Sequence, residues 1–150
     1  MQAAGSEAHS RSMVLHRYEY KNGRRRLESE AVIAILRHTE SEEWSLVSSG
    51  VVSYEISRTS DEERKRRLHS LVHRASEFIP VGQETYARAG ELQDQLGIRA
   101  YDALHIACAE QGGADVFLST DDRLVKAAKR NSDAANIRVE NPLIWLQEVV

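Results

Sequence analysis

The feature of this chain that most constrains its fold is a helix followed by a strand in its second half. Ala100-Tyr101-Asp102-Ala103-Leu104-His105-Ile106-Ala107 is apolar around most of its circumference. Val116-Phe117-Leu118 is a short unbroken apolar run that leads into Ser119, Thr120, Asp121 and Asp122. A helix and a strand of that character both need covering, so they belong in the interior of a layered domain. Each also carries an acid where burial is costly, Asp102 in the first helical turn and Asp121 just past the strand. A positively charged ligand, most simply a hard divalent cation, would account for both.

Helical and extended segments alternate along the rest of the chain. Leu27, Ala31 and Ile35, with Ala34 or Leu36, have the spacing of a helix beginning at Arg24. Trp44 to Ser48 reads as a strand, and Ser49 opens a helix containing Val52, Glu55 and Ile56. Ser60-Asp61-Glu62-Glu63 has capping-box spacing ahead of a stripe formed by Leu68, Leu71, Val72 and Ala75. Phe78-Ile79-Pro80-Val81 is extended, and its proline places it at an edge or turn. A helix from Gln83 to Leu96 stops at Gly97, and one from Arg99 to Gln111 stops at Gly112-Gly113. Asp122 to Arg130 is a further helix and Ile137-Arg138-Val139 a last strand. Pro142 suits the first position of a closing helix through Leu146. Residues 1–23 are poor in apolar side chains, with Met13-Val14-Leu15 as their one cluster, and are expected to be irregular.

Strands alternating with helices predict an α/β domain with a short, mainly parallel sheet. In such sheets ligands bind beyond the carboxyl ends of the strands, where Asp121 falls. The formal net charge of −3 over 150 residues excludes general polyanion or membrane binding by bulk charge, so any basic surface is local. Cys108 is the single cysteine, which rules out an internal disulfide and fits a reducing, cytoplasmic setting. No apolar run approaches the roughly 20 residues of a membrane span, and Met1 to Met13 has no signal-peptide core.

Mg²⁺ and Mn²⁺ take oxygen ligands, and Mg²⁺ keeps waters while using only a few carboxylates. Glu55, Asp102 and Asp121 are the candidate acids. Each has an ordinary alternative: a solvated helix acid, an acid at a positive helix end, and a helix cap, respectively. Their fall around one sheet edge argues for a common site. Arg24-Arg25-Arg26 and Arg64-Lys65-Arg66-Arg67 read as solvated helix faces rather than RNA contacts. His105, Cys108, Trp44 and Trp145 read as packing residues.

Asp102-Ala103-Leu104-His105-Ile106-Ala107 followed by Ala114 to Asp122 resembles the PIN domain family, which includes the VapC toxins. Val51 to Ile56 and Val139-Glu140-Asn141-Pro142 resemble the same family. The resemblance implies a three-layer PIN-like fold over residues 24–150 and a Mg²⁺- or Mn²⁺-dependent endoribonuclease. It also implies an RNA substrate, an antitoxin partner and a homodimer. Carried over, Glu55 matches the helix glutamate, Asp102 the acid opening the central helix, and Asp121 the acid after the strand, with Asp122 as the weaker choice. Ser119 and Thr120 stand where polar residues flank that acid and are expected to touch substrate.

One motif departs. Such proteins begin with a hydrophobic strand ending in Asp-x-Asn, and here Arg11-Ser12-Met13-Val14-Leu15 takes that place, with arginine where the acid belongs. Glu7 and Glu19 are nearby acids, but neither follows an apolar run. Two explanations stay open, a degenerate first strand and a truncated or misassigned N-terminus. The missing acid also leaves open a domain that binds RNA or protein without cutting.

Overall fold

A computed structural model describes residues 11–16 and 24–150. The chain runs β1 (Arg11–His16), α1 (Arg24–Glu40), β2 (Trp44–Ser49), α2 (Gly50–Arg58), α3 (Glu62–Arg74), β3 (Glu77–Ile79), α4 (Gln83–Leu96), α5 (Ala100–Gln111), β4 (Val116–Ser119), α6 (Asp122–Arg130), β5 (Arg138–Glu140) and α7 (Pro142–Val149). The strands form one sheet in the order β3-β2-β1-β4-β5, and every pairing is parallel. The sheet grows from β1 toward β3 on one side and from β4 toward β5 on the other. Strand order therefore reverses between β1 and β4, and a crevice opens there at their carboxyl ends.

Helices cover both faces, as the mainly parallel α/β expectation requires. Val14, Val47, Phe117 and Val139 pack under α4, α5 and α6, against Leu92, Leu96, Ile106 and Leu124. Met13, Leu15, Leu46, Val116 and Leu118 pack on the other face against Val32 and Ile35 of α1, Leu71 of α3 and Trp145 of α7. Trp44 and Trp145 meet edge to face, 5.1 Å between ring centroids, and both are buried. They are packing residues, as is buried Cys108, whose thiol burial pushes up from its ordinary value while Ser49 pulls it down.

Local chemistry explains the boundaries. The Ser49 hydroxyl accepts from the Val51 amide and starts α2. Asp61, one residue later than the capping box implied, starts α3 by accepting from the amides of Glu63 and Arg64. Gly97 ends α4 in the left-handed region at φ 68°, where glycine carries no Cβ penalty. Gly112 is favoured by close approach instead. A Cβ there would stand 2.7 Å from Cδ1 of Ile79 on β3.

The expectation of an irregular N-terminal segment fails for residues 11–16, which form the central strand of the sheet. A strand buried on both faces has no polar–apolar alternation, so Met13-Val14-Leu15 carries almost no strand signature. The register with arginine in the acidic place fails too. Arg11 pairs with Trp44 at the amino end of β1, and His16 closes the carboxyl end. Glu7 and Glu19 lie outside the described residues.

Candidate functional site

The crevice is built by period-two alternation. Val14 and Phe117 face the layer that contains α5, so His16 and Ser119, two residues on and paired in register, face the same way. His16 Nδ1 lies 2.8 Å from Ser119 Oγ, and His16 Nε2 lies 3.2 Å from Asp102 Oδ1 in the first turn of α5. Three residues on, His105 Nε2 lies 3.0 Å from Glu55 Oε1 on α2. The two imidazoles meet edge to face with centroids 5.0 Å apart. Two histidine–carboxylate pairs thus stand side by side where the strand order reverses.

The acids expected to act together are separated in their partners. Asp102 is 4% exposed and faces His16. Glu55 is half-buried and engaged by His105. Asp121 caps α6, its Oδ1 accepting from the amides of Arg123 and Leu124. Among the described residues no three His, Cys, Asp or Glu side chains are grouped to hold a metal ion. An imidazole at the end of β1, where an oxygen ligand would be needed, suits Mg²⁺ or Mn²⁺ poorly. The described side chains by themselves make only an incomplete oxygen site for such an ion.

Ser119 and Thr120, expected to touch substrate, are 0% and 3% exposed. The Ser119 hydroxyl accepts from the Asp121 amide at 3.0 Å and meets His16 on its other side. It orders the crevice from within. Ser119, His16 and Asp102 have the order of a nucleophilic triad, but no substrate atom reaches a hydroxyl with no exposed surface. Sequence reasoning missed His16. The available signal was the residue immediately after Met13-Val14-Leu15, since a short apolar run in an α/β chain is a strand whose next residue sits at its carboxyl end.

Asp102 and Asp121 do come together around one hollow of about 360 Å³ between α5 and α6. Arg99, Arg123, Lys126 and Arg130 also line it. Four cations against two acids make it a local positive site on a chain of net negative charge. The described residues put none of these four cations in an ion pair, whereas Arg88 and Arg138 are held by Glu110 and Glu148. Those two partners push both guanidinium pKa values further up.

The PIN domain model matches residues 15–130. With more than three-quarters of its length matched, the chain belongs to the PIN domain family. The match begins one residue before His16, inside β1. Among solved structures the chain is similar to one in the crystal structure of VapBC2 from Rickettsia felis bound to a DNA fragment from their promoter. Identity is 18%, coverage 87% of this chain and 98% of that chain, and the TM-score 0.47. No curated protein matches the sequence. Among the described residues no helix is long and apolar enough to cross a membrane.

Proposed function

We propose that this protein is a PIN-type nuclease acting on RNA phosphodiesters at the hollow between α5 and α6, as the toxin of a toxin–antitoxin pair. The observation that best supports the RNA reading is Asp102 and Asp121 opening on a hollow with Arg99, Arg123, Lys126 and Arg130. Cations seat the phosphodiester and fix its register, because arginine and lysine neutralise phosphate wherever the chain passes. Asp102 lies at the carboxyl end of the sheet and borders that hollow. The Mg²⁺ or Mn²⁺ implied by the family resemblance is poorly served by the described side chains, so slow turnover is expected.

The test is cleavage of a labelled single-stranded RNA with Mn²⁺ and with EDTA. Cleavage with Mn²⁺, lost in EDTA and in Asp102→Asn, is the expected result. Cleavage unchanged in the variant sinks the assignment of the site.

A second reading is favoured by one observation, His16 beside Asp102 at 3.2 Å. An imidazole in that place leaves a domain that binds RNA without hydrolysing it. RNA retention with no cleavage at any Mn²⁺ concentration supports this reading, and multiple turnovers refute it.

A further inference from the structure

The first turn of α5 divides two hollows of opposite character. Arg99 and Asp102 line the cationic one. Ala100, Tyr101 and Leu104 line the other, a hollow of about 620 Å³ shared with Tyr54 of α2, Phe78 of β3 and Tyr86 of α4. Consecutive helix residues point about 100° apart, so Tyr101 and Asp102 diverge from one turn into the two hollows. No charged residue lines the second hollow. Its aromatic rings are open to solvent: Tyr54 is 48% exposed, Phe78 53%, Tyr86 62% and Tyr101 42%.

These rings are partly organised. Tyr54 and Tyr101 lie 5.9 Å apart between centroids and 29° from parallel, and the Arg58 guanidinium carbon is 5.9 Å from the Tyr54 centroid. Neighbouring Tyr54 holds the Tyr101 phenol above its ordinary value. The two rings form a pair that stays about half exposed. A chain with only two phenylalanines, two tryptophans and five tyrosines places four of these nine rings on this one surface.

We infer that the aromatic hollow is the base-binding half of a single-stranded RNA track whose phosphate-binding half is the cationic hollow across the first turn of α5. Single-stranded nucleic acids are held by this combination, a cationic groove along the backbone with aromatic faces on which bases stack. The adjacent cations Arg99, Arg123, Lys126 and Arg130, in no ion pair among the described residues, select a polyanion over an apolar partner. The aromatic faces select unpaired bases over a duplex, whose bases are already stacked. Stacking is tolerant of sequence, so the track gives strand selectivity rather than a base code. The inference rests on the RNA reading above, but it concerns binding and stands whether or not the RNA is cut.

The test is fluorescence anisotropy in EDTA, which keeps cleavage out of the measurement. Labelled single-stranded RNA, an abasic strand of equal length and a duplex are titrated with the wild type, Tyr54→Ala/Tyr101→Ala, Tyr101→Phe and Arg123→Ala/Lys126→Ala. The double tyrosine variant is expected to lose about tenfold or more in affinity for the single strand. Its affinity for the abasic strand stays unchanged, and Tyr101→Phe stays close to wild type. Equal loss on the abasic strand, or no loss on either, overturns the base-binding role. Sedimentation velocity on the same variants supplies a second arm. A shift to a smaller species with RNA affinity unchanged assigns the surface to a second copy of the chain and also overturns the proposal. Single-strand affinity unaltered by Arg123→Ala/Lys126→Ala instead counts against the RNA reading itself. Circular dichroism establishes folding, which substitution of half-exposed tyrosines leaves intact.

Discussion

Two buried polar clusters lie at the carboxyl ends of the strands, and they differ in what partners their acids. At the end of β5, Glu140 is 4% exposed and lies 2.8 Å from Lys129 Nζ and 3.1 Å from an Arg138 nitrogen. Its other oxygen accepts from the Asn141 amide at 2.9 Å. The Asn141 side-chain amide donates to buried Glu28 of α1, and its carbonyl oxygen caps α7 through the Leu143 and Ile144 amides. At the ends of β1 and β4 the acids face imidazoles instead, Asp102 with His16 and Glu55 with His105. Arg99, Arg123, Lys126 and Arg130 share a hollow with Asp102 and form no ion pair among the described residues. The first cluster is closed, with fixed cations for fixed acids. The second is open, its acids on imidazoles and the cations of the adjoining hollow without a described acid partner.

The largest stability effect therefore belongs to the closed cluster. Glu140→Ala removes the acceptor for Lys129, Arg138 and the Asn141 amide together. Lys129 and Arg138 are half-exposed and recover water, which limits the loss to about 2 kcal/mol. A denaturant midpoint measures it, while RNA affinity should not move. Burial pushes the Glu140 carboxyl up, but Lys129, the Asn141 amide and Arg138 outweigh it and leave it below its ordinary 4.5. A carboxyl depressed by folding contributes stability that is present above the ordinary value and is lost as pH falls below it. Midpoints of wild type and Glu140→Gln should converge as pH drops below about 4.5. Parallel curves down to strong acid would show that the cluster is not held by charge.

Glu55→Ala is expected to cost less, about 1 kcal/mol, because water reaches a half-buried site and re-partners His105. A loss as large as that for Glu140→Ala would make the second cluster a structural clamp as well, and the contrast would collapse.

The sequence made one of these regions far more legible than the other. The α5–β4–α6 unit was readable because its helix carries glycine stops, its strand is an unbroken apolar run, and Asp121 is both acid and cap. Its acids were found, but their partners were not, since nothing in the spacing ties Glu55 to His105 fifty residues away. The strand carrying His16 was hidden because it offers three apolar residues with no alternation, and its burial comes wholly from neighbours distant in sequence. The role of Glu140-Asn141 was hidden for a similar reason. The Asn-Pro pair predicts a helix start, but not that the same asparagine reaches back to Glu28 on the first helix.

The smallest stability effect gives the sharpest test of the contrast. Arg123→Ala/Lys126→Ala removes two cations from the open hollow, both on exposed positions of α6. If these cations serve the fold, repulsion among four of them is already tolerated for some structural gain, and the variant loses stability. If they serve a ligand, the variant relieves that repulsion, and its denaturant midpoint stays within about 0.5 kcal/mol of wild type or rises. The binding readout then moves while the stability readout does not. Each phosphate neutralised on a single strand contributes about −0.7 to the slope of log affinity against log salt. Loss of two cations should therefore flatten that slope by about 1.4. A destabilised variant with an unchanged slope would place these side chains in the same class as Lys129 and Arg138, as structural counter-ions in a second closed cluster.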